Sequence, residues 1–198
     1  MLSLAEIRLS SKGAWDLFLN RPLDLAFFDV SISGFWRSFQ LIVPIMLFYV
    51  IVTFSDYELT RIELTHQALP EFADFATAGY LALVVDWFLF PLALMPFAGM
   101  LGIADRYVTF VVLRNWSQFL MALIVTPLFA AFYFGLIGSS LHLLGLLTIV
   151  FVFLRYRYIV TRAALECSFG LAASLVALEF VLGMVIGEAI ARLYGIGV

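Results

Sequence analysis

Five long apolar segments dominate the chain, and they restrict the folds available to it more than any other feature. An apolar run of about 18 residues or more is long enough to cross a hydrocarbon core of roughly 30 Å as an α-helix. The strands of a membrane barrel would instead give short segments of alternating polarity. The sequence therefore predicts an all-α, polytopic transmembrane bundle of five spans, at residues 34–54, 74–103, 116–137, 141–158 and 167–190.

The composition also points to a lipid environment. Apolar residues make up 64% of the 198 residues and charged residues 13%. A soluble domain has roughly 45–50% apolar and about 25% charged residues, so this chain carries too few charges to cover a globular surface. We expect an integral membrane protein with the lipid bilayer as its partner, and in a bacterium the membrane would be the cytoplasmic (inner) one.

Residues 1–33 contain none of the five apolar segments, which predicts a separate N-terminal segment at 1–33 ahead of a five-span domain at 34–198. Ser3 and Glu6 have the capping-box spacing, in which each side chain satisfies a backbone donor at a helix start. The apolar residues that follow fall near one helical face, among them Leu4, Ile7 and Trp15. We expect an amphipathic helix lying in the membrane interface. The alternative is a helix packed on the protein's own cytoplasmic side.

The basic residues predict the orientation of the spans. With a cytoplasmic N-terminus, nine of the eleven Lys and Arg residues would lie inside, and only Arg61 and Arg192 outside. Such an excess of inner basic residues is what the positive-inside rule requires, so we predict N-in, C-out. The short stretch 107–113 is either an interfacial helix or an extension of the third span, with Arg114 reaching towards the interface.

Two carboxylates, Asp86 and Glu179, lie within predicted spans. Each is about twelve residues, or roughly 18 Å of helix, from the start of its span, close to mid-membrane. A charged Asp at the centre of a membrane helix costs on the order of 2.5–3.5 kcal/mol, so such groups usually face the bundle interior or water. Burial also favours their neutral, protonated form.

Two prolines follow Asp86 in the same span, Pro91 and Pro96. A proline in a helix frees the carbonyl four residues earlier, which predicts a kinked or unwound segment just beyond Asp86. Broken helices beside a carboxylate are typical of transporter ion and proton sites. We therefore predict a polar pocket formed by Asp86, Glu179, Pro91 and Pro96 that exchanges protons. The alternative is that the carboxylates only hold helices together through hydrogen bonds.

The fifth span contains a GxxxG motif, Gly183 and Gly187. Small residues at this spacing allow close approach of two helix backbones. The motif serves either packing within the chain or the contact face of a homo-oligomer.

A basic group, Arg155, Arg157 and Arg162, lies around the end of the fourth predicted span and ahead of the fifth, together with two tyrosines. Anionic lipid headgroups are the natural ligands of such a group at a cytoplasmic interface. The alternative is that these arginines only fix the topology.

No pattern in the sequence indicates an enzyme, a cofactor or a metal site. The single cysteine, Cys167, excludes an internal disulfide, and the two histidines, His66 and His142, form no HExxH motif. The sequence has no GxSxG elbow and no glycine-rich phosphate loop. The basic residues are scattered rather than gathered into a stripe, so nucleic acid is not an expected partner.

A short polar and amphipathic N-terminus followed by five closely spaced spans resembles the Yip1-type membrane proteins. Eukaryotic members carry an Asp-Leu-Tyr-Gly-Pro type motif before the first span, where this chain has Asp24-Leu-Ala-Phe-Phe-Asp29. The resemblance implies a role in membrane organisation.

Two functions are therefore compatible with the sequence. One is a small transporter or transporter subunit with the polar pocket described above. The other is a non-catalytic scaffold or assembly subunit of a larger membrane complex, with Yip1-like membrane organisation included in this class.

Overall fold

The computed structural model describes residues 2–64 and 68–196, whose regular secondary structure consists of helices with no strand. His66 lies outside these residues. The α-helices are α1 (Leu4–Phe18), α2 (Ile32–Ser38), α3 (Ile42–Glu63), α4 (Phe72–Leu94), α5 (Tyr107–Tyr133), α6 (Ser139–Leu165) and α7 (Phe169–Leu193). Short 3₁₀ turns lie at Leu25–Phe27, Phe39–Leu41, Met95–Phe97 and Ala104–Arg106.

Five helical segments are long and apolar enough to cross a membrane. They are Ile32–Glu63, Phe72–Phe97, Ala104–Tyr133, Ser139–Leu165 and Phe169–Leu193. The prediction of an all-helical fold with five apolar helices of spanning length is confirmed among the described residues, and the N-in, C-out orientation stays a prediction.

Several helices extend past their predicted ends. α3 continues from its predicted end at 54 to Glu63, so Asp56 lies on a helix and not in a loop. The extension carries its own charge pair, in which Arg61 Nη2 lies 2.5 Å from Glu58 Oε1. The stretch 107–113 forms the first two turns of α5, which is one of the two alternatives that the sequence left open.

The helix α5 forms the centre of the bundle. In its most apolar stretch 67% of the residues are buried, against 17–28% in the other four spans. It contacts α1, α2, α3 and α6, while α4 and α7 pack on one another. The buried residues of α5 concentrate in its first half, from Tyr107 to Met121. Polar residues in this half must therefore find partners inside the bundle.

The helix α1 packs on the ends of α5 and α6. The Tyr156 hydroxyl donates to the carbonyl of Ala14 over 2.7 Å, and Leu17 is buried. On the opposite side Leu4 and Trp15 are exposed. The helix is therefore packed on the protein itself, and its contact with the membrane interface stays a prediction.

Candidate functional site

A buried carboxylate, Glu179 on α7, is flanked by two buried arginines. Arg114 Nε on α5 lies 2.7 Å from Glu179 Oε1, and Arg157 Nη2 on α6 lies 3.4 Å from the same oxygen. The side chains of Arg114, Arg157 and Glu179 are 0%, 3% and 8% exposed. We call these three residues the arginine–glutamate triad. The triad joins three helices about two to three turns from the end of the bundle that α1 covers.

Other donors of the two arginines bind polar atoms of α4 and α5. Arg157 Nη1 donates to the carbonyl of Arg114 over 3.1 Å and to Ser117 Oγ over 3.2 Å, and its Nη2 donates to Gln118. Two further nitrogens, Arg114 Nη2 and Arg157 Nε, are buried without an acceptor among the described residues. The site is therefore strongly polar and only partly satisfied by protein atoms.

Pro91 supplies one acceptor for the triad. The helix α4 continues through Pro91, which cannot donate to the carbonyl of Trp87. Arg114 Nη1 donates to this freed carbonyl over 3.4 Å, and the Tyr107 hydroxyl donates to the carbonyl of Pro91 over 2.6 Å. The proline therefore prepares a backbone acceptor for α5.

The prediction beyond Asp86 left two alternatives, a kinked or an unwound segment, and the unwound one is wrong. The α-helix continues to Leu94, and the 3₁₀ turn Met95–Phe97 follows it. Side chains of α5 satisfy the carbonyls at Trp87 and Pro91, so the helix does not need to unwind there. Pro96 lies in the turn, exposed, and does not belong to the site.

Asp86 lies beside the triad on α4 and is half-buried. A Cβ atom added at Gly183 of α7 would lie 3.1 Å from Asp86 Oδ1, so the absent side chain of this glycine makes room for the carboxylate. The charged groups that act on Asp86 are Arg114, Glu179 and Arg157, on α5, α7 and α6. Among the described residues Asp86 accepts no hydrogen bond, which distinguishes it from Glu179.

The structure brings together five of the residues singled out in the sequence and separates the others. Asp86, Glu179, Pro91, Gly183 and Arg157 lie at one place. Gly187, on the same face of α7 as Gly183, borders a separate cavity between α3, α4 and α7.

The basic group predicted to bind lipid headgroups is divided. Arg155 and Arg162 are exposed, as a headgroup contact requires. Arg157 is buried in the triad, so the predicted headgroup contact of this residue is wrong. The reason is that α6 continues past its predicted end at 158 to Leu165, which places Arg157 about two turns inside the helix.

The sequence reasoning missed Arg114 as a site residue, because an arginine near a span end was expected to reach the interface. The available signal was its spacing from Gln118, which is four residues along the same helix and therefore on the same face. Asn115 is buried as well, and its Nδ2 donates to Ser38 Oγ over 2.9 Å. Polar residues this dense in an apolar span indicate an inward-facing cluster.

Comparison with protein-family models, with curated proteins and with solved structures returns no match for this chain. The resemblance to Yip1-type proteins is neither supported nor opposed by these comparisons and stays a prediction.

The four charged groups of the site sum to zero when both carboxylates are ionised. A proton on Asp86 would leave a net charge of +1 inside the bundle, close to the contact of α4 with α7. Changing the charge of a buried group is expensive unless the surrounding groups or water rearrange. The arrangement can therefore couple protonation of one side chain to the packing of two helices.

Proposed function

We propose that this chain is a small integral membrane transporter, or a transporter subunit, that handles protons or small ions at Asp86 and the arginine–glutamate triad. The observation that carries the proposal is the contrast between the two carboxylates. Glu179 is held by two guanidinium groups, whereas Asp86 lies beside the same arginines and accepts no hydrogen bond from any described residue. Asp86 is therefore the carboxylate free to gain and lose a proton.

The fixed charges of the triad support this division of roles. Two arginines and Glu179 carry a net charge of +1, which Asp86 neutralises when it is ionised. Ionisable groups inside membrane bundles usually mark proton relays or ion pathways. In a transporter, the gain of a proton by Asp86 would weaken its attraction to Arg114 and change the contact between α4 and α7.

The test is proton flux into liposomes that contain the purified protein and a pH-sensitive dye, driven by a membrane potential. We expect flux in the wild type and its loss in Asp86→Asn, because Asn has the size of Asp but cannot ionise. The matched control is Glu188→Gln on α7, where the exposed carboxylate pairs with Arg192 over 2.6 Å outside the site. This variant should retain the wild-type flux.

Two outcomes would count against transport. A fully active Asp86→Asn variant would remove Asp86 from the pathway. A wild type without flux that is extracted from its own membrane in a larger complex would favour the scaffold function. The substitution Gly183→Leu does not separate the two functions, because a side chain at this position would also press on Asp86 within the chain.

A further inference from the structure

A second polar position lies at the opposite end of the bundle, where α3 and α7 end and α4 begins. A cavity of about 210 Å³ lies between these three helices. Half of its ten lining residues are glycine or alanine, namely Ala78, Gly79, Ala82, Gly187 and Ala191. The cavity exists because these small side chains keep the helices close without filling the space between them.

Asp56 is the one charged residue that lines this cavity in the part of the chain that the structure describes. It forms no ion pair with another described residue. Arg61, the nearest basic residue in sequence, pairs with Glu58, and Arg192, which follows the lining residue Ala191 on α7, pairs with Glu188. A half-buried carboxylate therefore faces a mostly apolar space without a counter-charge.

The lining favours an organic cation over other ligands. No basic residue among those that the structure describes borders the cavity, which disfavours anions. A calcium ion takes six to eight oxygen ligands, and a lone carboxylate does not supply such a set. The aromatic rings of Tyr49 and Phe75 are also in the wall, and aromatic faces attract ammonium groups. The carboxylate and the rings together suit an ammonium group with an apolar body.

The volume of the cavity limits the size of the apolar part of the bound compound. A cavity of about 150 Å³ in another protein holds one benzene molecule. A cavity of about 210 Å³ therefore has room for one ring and a short aminoalkyl arm. We propose that this cavity binds a primary ammonium compound of about this size, with the ammonium group on Asp56 and the apolar body against the small residues of α4 and α7.

The experiment is a binding measurement on the full chain in nanodiscs of zwitterionic lipid, by isothermal titration calorimetry. The probes are 2-phenylethylamine, which is protonated at pH 7, and its uncharged analogue 2-phenylethanol. Empty nanodiscs of the same lipid give the background from partition. We expect the wild type to bind the amine at least about tenfold more tightly than the alcohol, since only the amine can pair with Asp56.

Three variants test the charge of Asp56 and the volume of the cavity separately. Asp56→Asn should lose the preference for the amine and still bind the alcohol, which shows that the cavity is intact. Glu58→Gln, on the same helix but paired with Arg61, should keep the preference. Gly187→Leu should weaken both probes, because its side chain would enter the cavity, where no atom lies within 4 Å of an added Cβ.

Three results would overturn the proposal: wild-type protein that binds neither probe, wild-type protein that binds both equally, or an Asp56→Asn variant that keeps the preference. The proposal goes beyond proton handling and does not depend on it. Asp86→Asn should bind the amine like the wild type. Amine binding therefore tests the role of Asp56 alone, and proton flux tests the role of Asp86 alone.

Discussion

Arg114 Nε on α5 donates to Glu179 Oε1 on α7 over 2.7 Å, and both side chains lie inside the bundle. Neither charge could stand alone there, because an unpaired ion in a low-dielectric interior loses its hydration without compensation. The pair joins the central helix α5 to α7. The packing of the outer helix and the chemistry of the site therefore depend on the same hydrogen bond.

The first prediction concerns the loss of Glu179. The variant Glu179→Leu leaves Arg114 and Arg157 buried without their shared acceptor. Breaking a buried ion pair from one side typically costs about 3–5 kcal/mol, so we expect a clear drop in the free energy of unfolding. Thermal unfolding in detergent, followed by circular dichroism, measures the effect.

The matched control is Glu188→Leu on the same helix, which removes the partner of the exposed Arg192. Solvent-exposed pairs contribute little to stability, so its midpoint should stay at the wild-type value. Equal midpoints for Glu179→Leu and the wild type would contradict the structural role of the triad.

The second prediction uses the two glycines of α7 as a pair. Alanine stabilises a helix relative to glycine by up to about 1 kcal/mol. Gly187→Ala should gain this, since nothing lies within 4 Å of its new Cβ. In Gly183→Ala the new Cβ would press on Asp86 Oδ1, so the gain should be smaller and proton flux should fall. Identical thermal midpoints and flux for the two variants would contradict the contact between Gly183 and Asp86.

The third prediction tests how the N-terminal segment is attached. A Cβ at Gly34 would run into the backbone carbonyl of Asp29, which cannot move away as a side chain could. Gly34→Ala should therefore loosen the turn before α2 and expose α1 to limited proteolysis. Gly99→Ala, where an added Cβ meets no atom within 4 Å, is the control and should be cut like the wild type. Resistance of Gly34→Ala to the protease would show that the segment tolerates the change.

The class of fold and the two intramembrane carboxylates could be predicted from the sequence because the membrane constrains both. Only helices or closed barrels satisfy backbone groups in lipid, and a carboxylate in an apolar run is conspicuous. The partners of these carboxylates could not be predicted. Whether Arg114 faces the interior of the bundle depends on the rotation of α5 about its axis. This rotation is set by packing between segments that are distant in sequence.

The dependence on packing between distant segments also explains why the predicted ends of two spans differ from the observed helix ends. The first predicted span ends at 54, before Asp56, and Arg157 is predicted at an interface, because charged residues usually mark the end of a span. Both lie on helices that continue past them, α3 to Glu63 and α6 to Leu165. A charged residue ends a membrane helix only if no partner or cavity accommodates it, and the sequence does not show those partners.

The fourth prediction concerns the effect of pH on the attachment of α1. Hydrogen bonds from Ser31, together with the pairing with Arg37, hold the pKa of Asp29 below its ordinary value of 3.8. A lowered folded-state pKa adds stability above the unfolded value, and this is lost as the pH falls through the folded value. Arg37 Nε also lies 3.1 Å from Glu6 Oε2 of α1. Protection of α1 from proteases should therefore be constant from pH 5 to 8, and Asp29→Asn should lower it throughout this range.

The fifth prediction concerns lipid. Arg162 and Arg21 border one open cavity of about 430 Å³ between α6 and the end of α1, and both side chains are exposed. Arg21 pairs with Asp16 over 2.6 Å, whereas Arg162 has no carboxylate partner among the described residues and can bind an anionic headgroup. Arg162→Gln should therefore reduce the anionic lipid retained in native mass spectra relative to zwitterionic lipid. Arg192→Gln, at the other end of the bundle, should not. Equal retention in both variants would leave Arg162 as a residue that serves orientation alone.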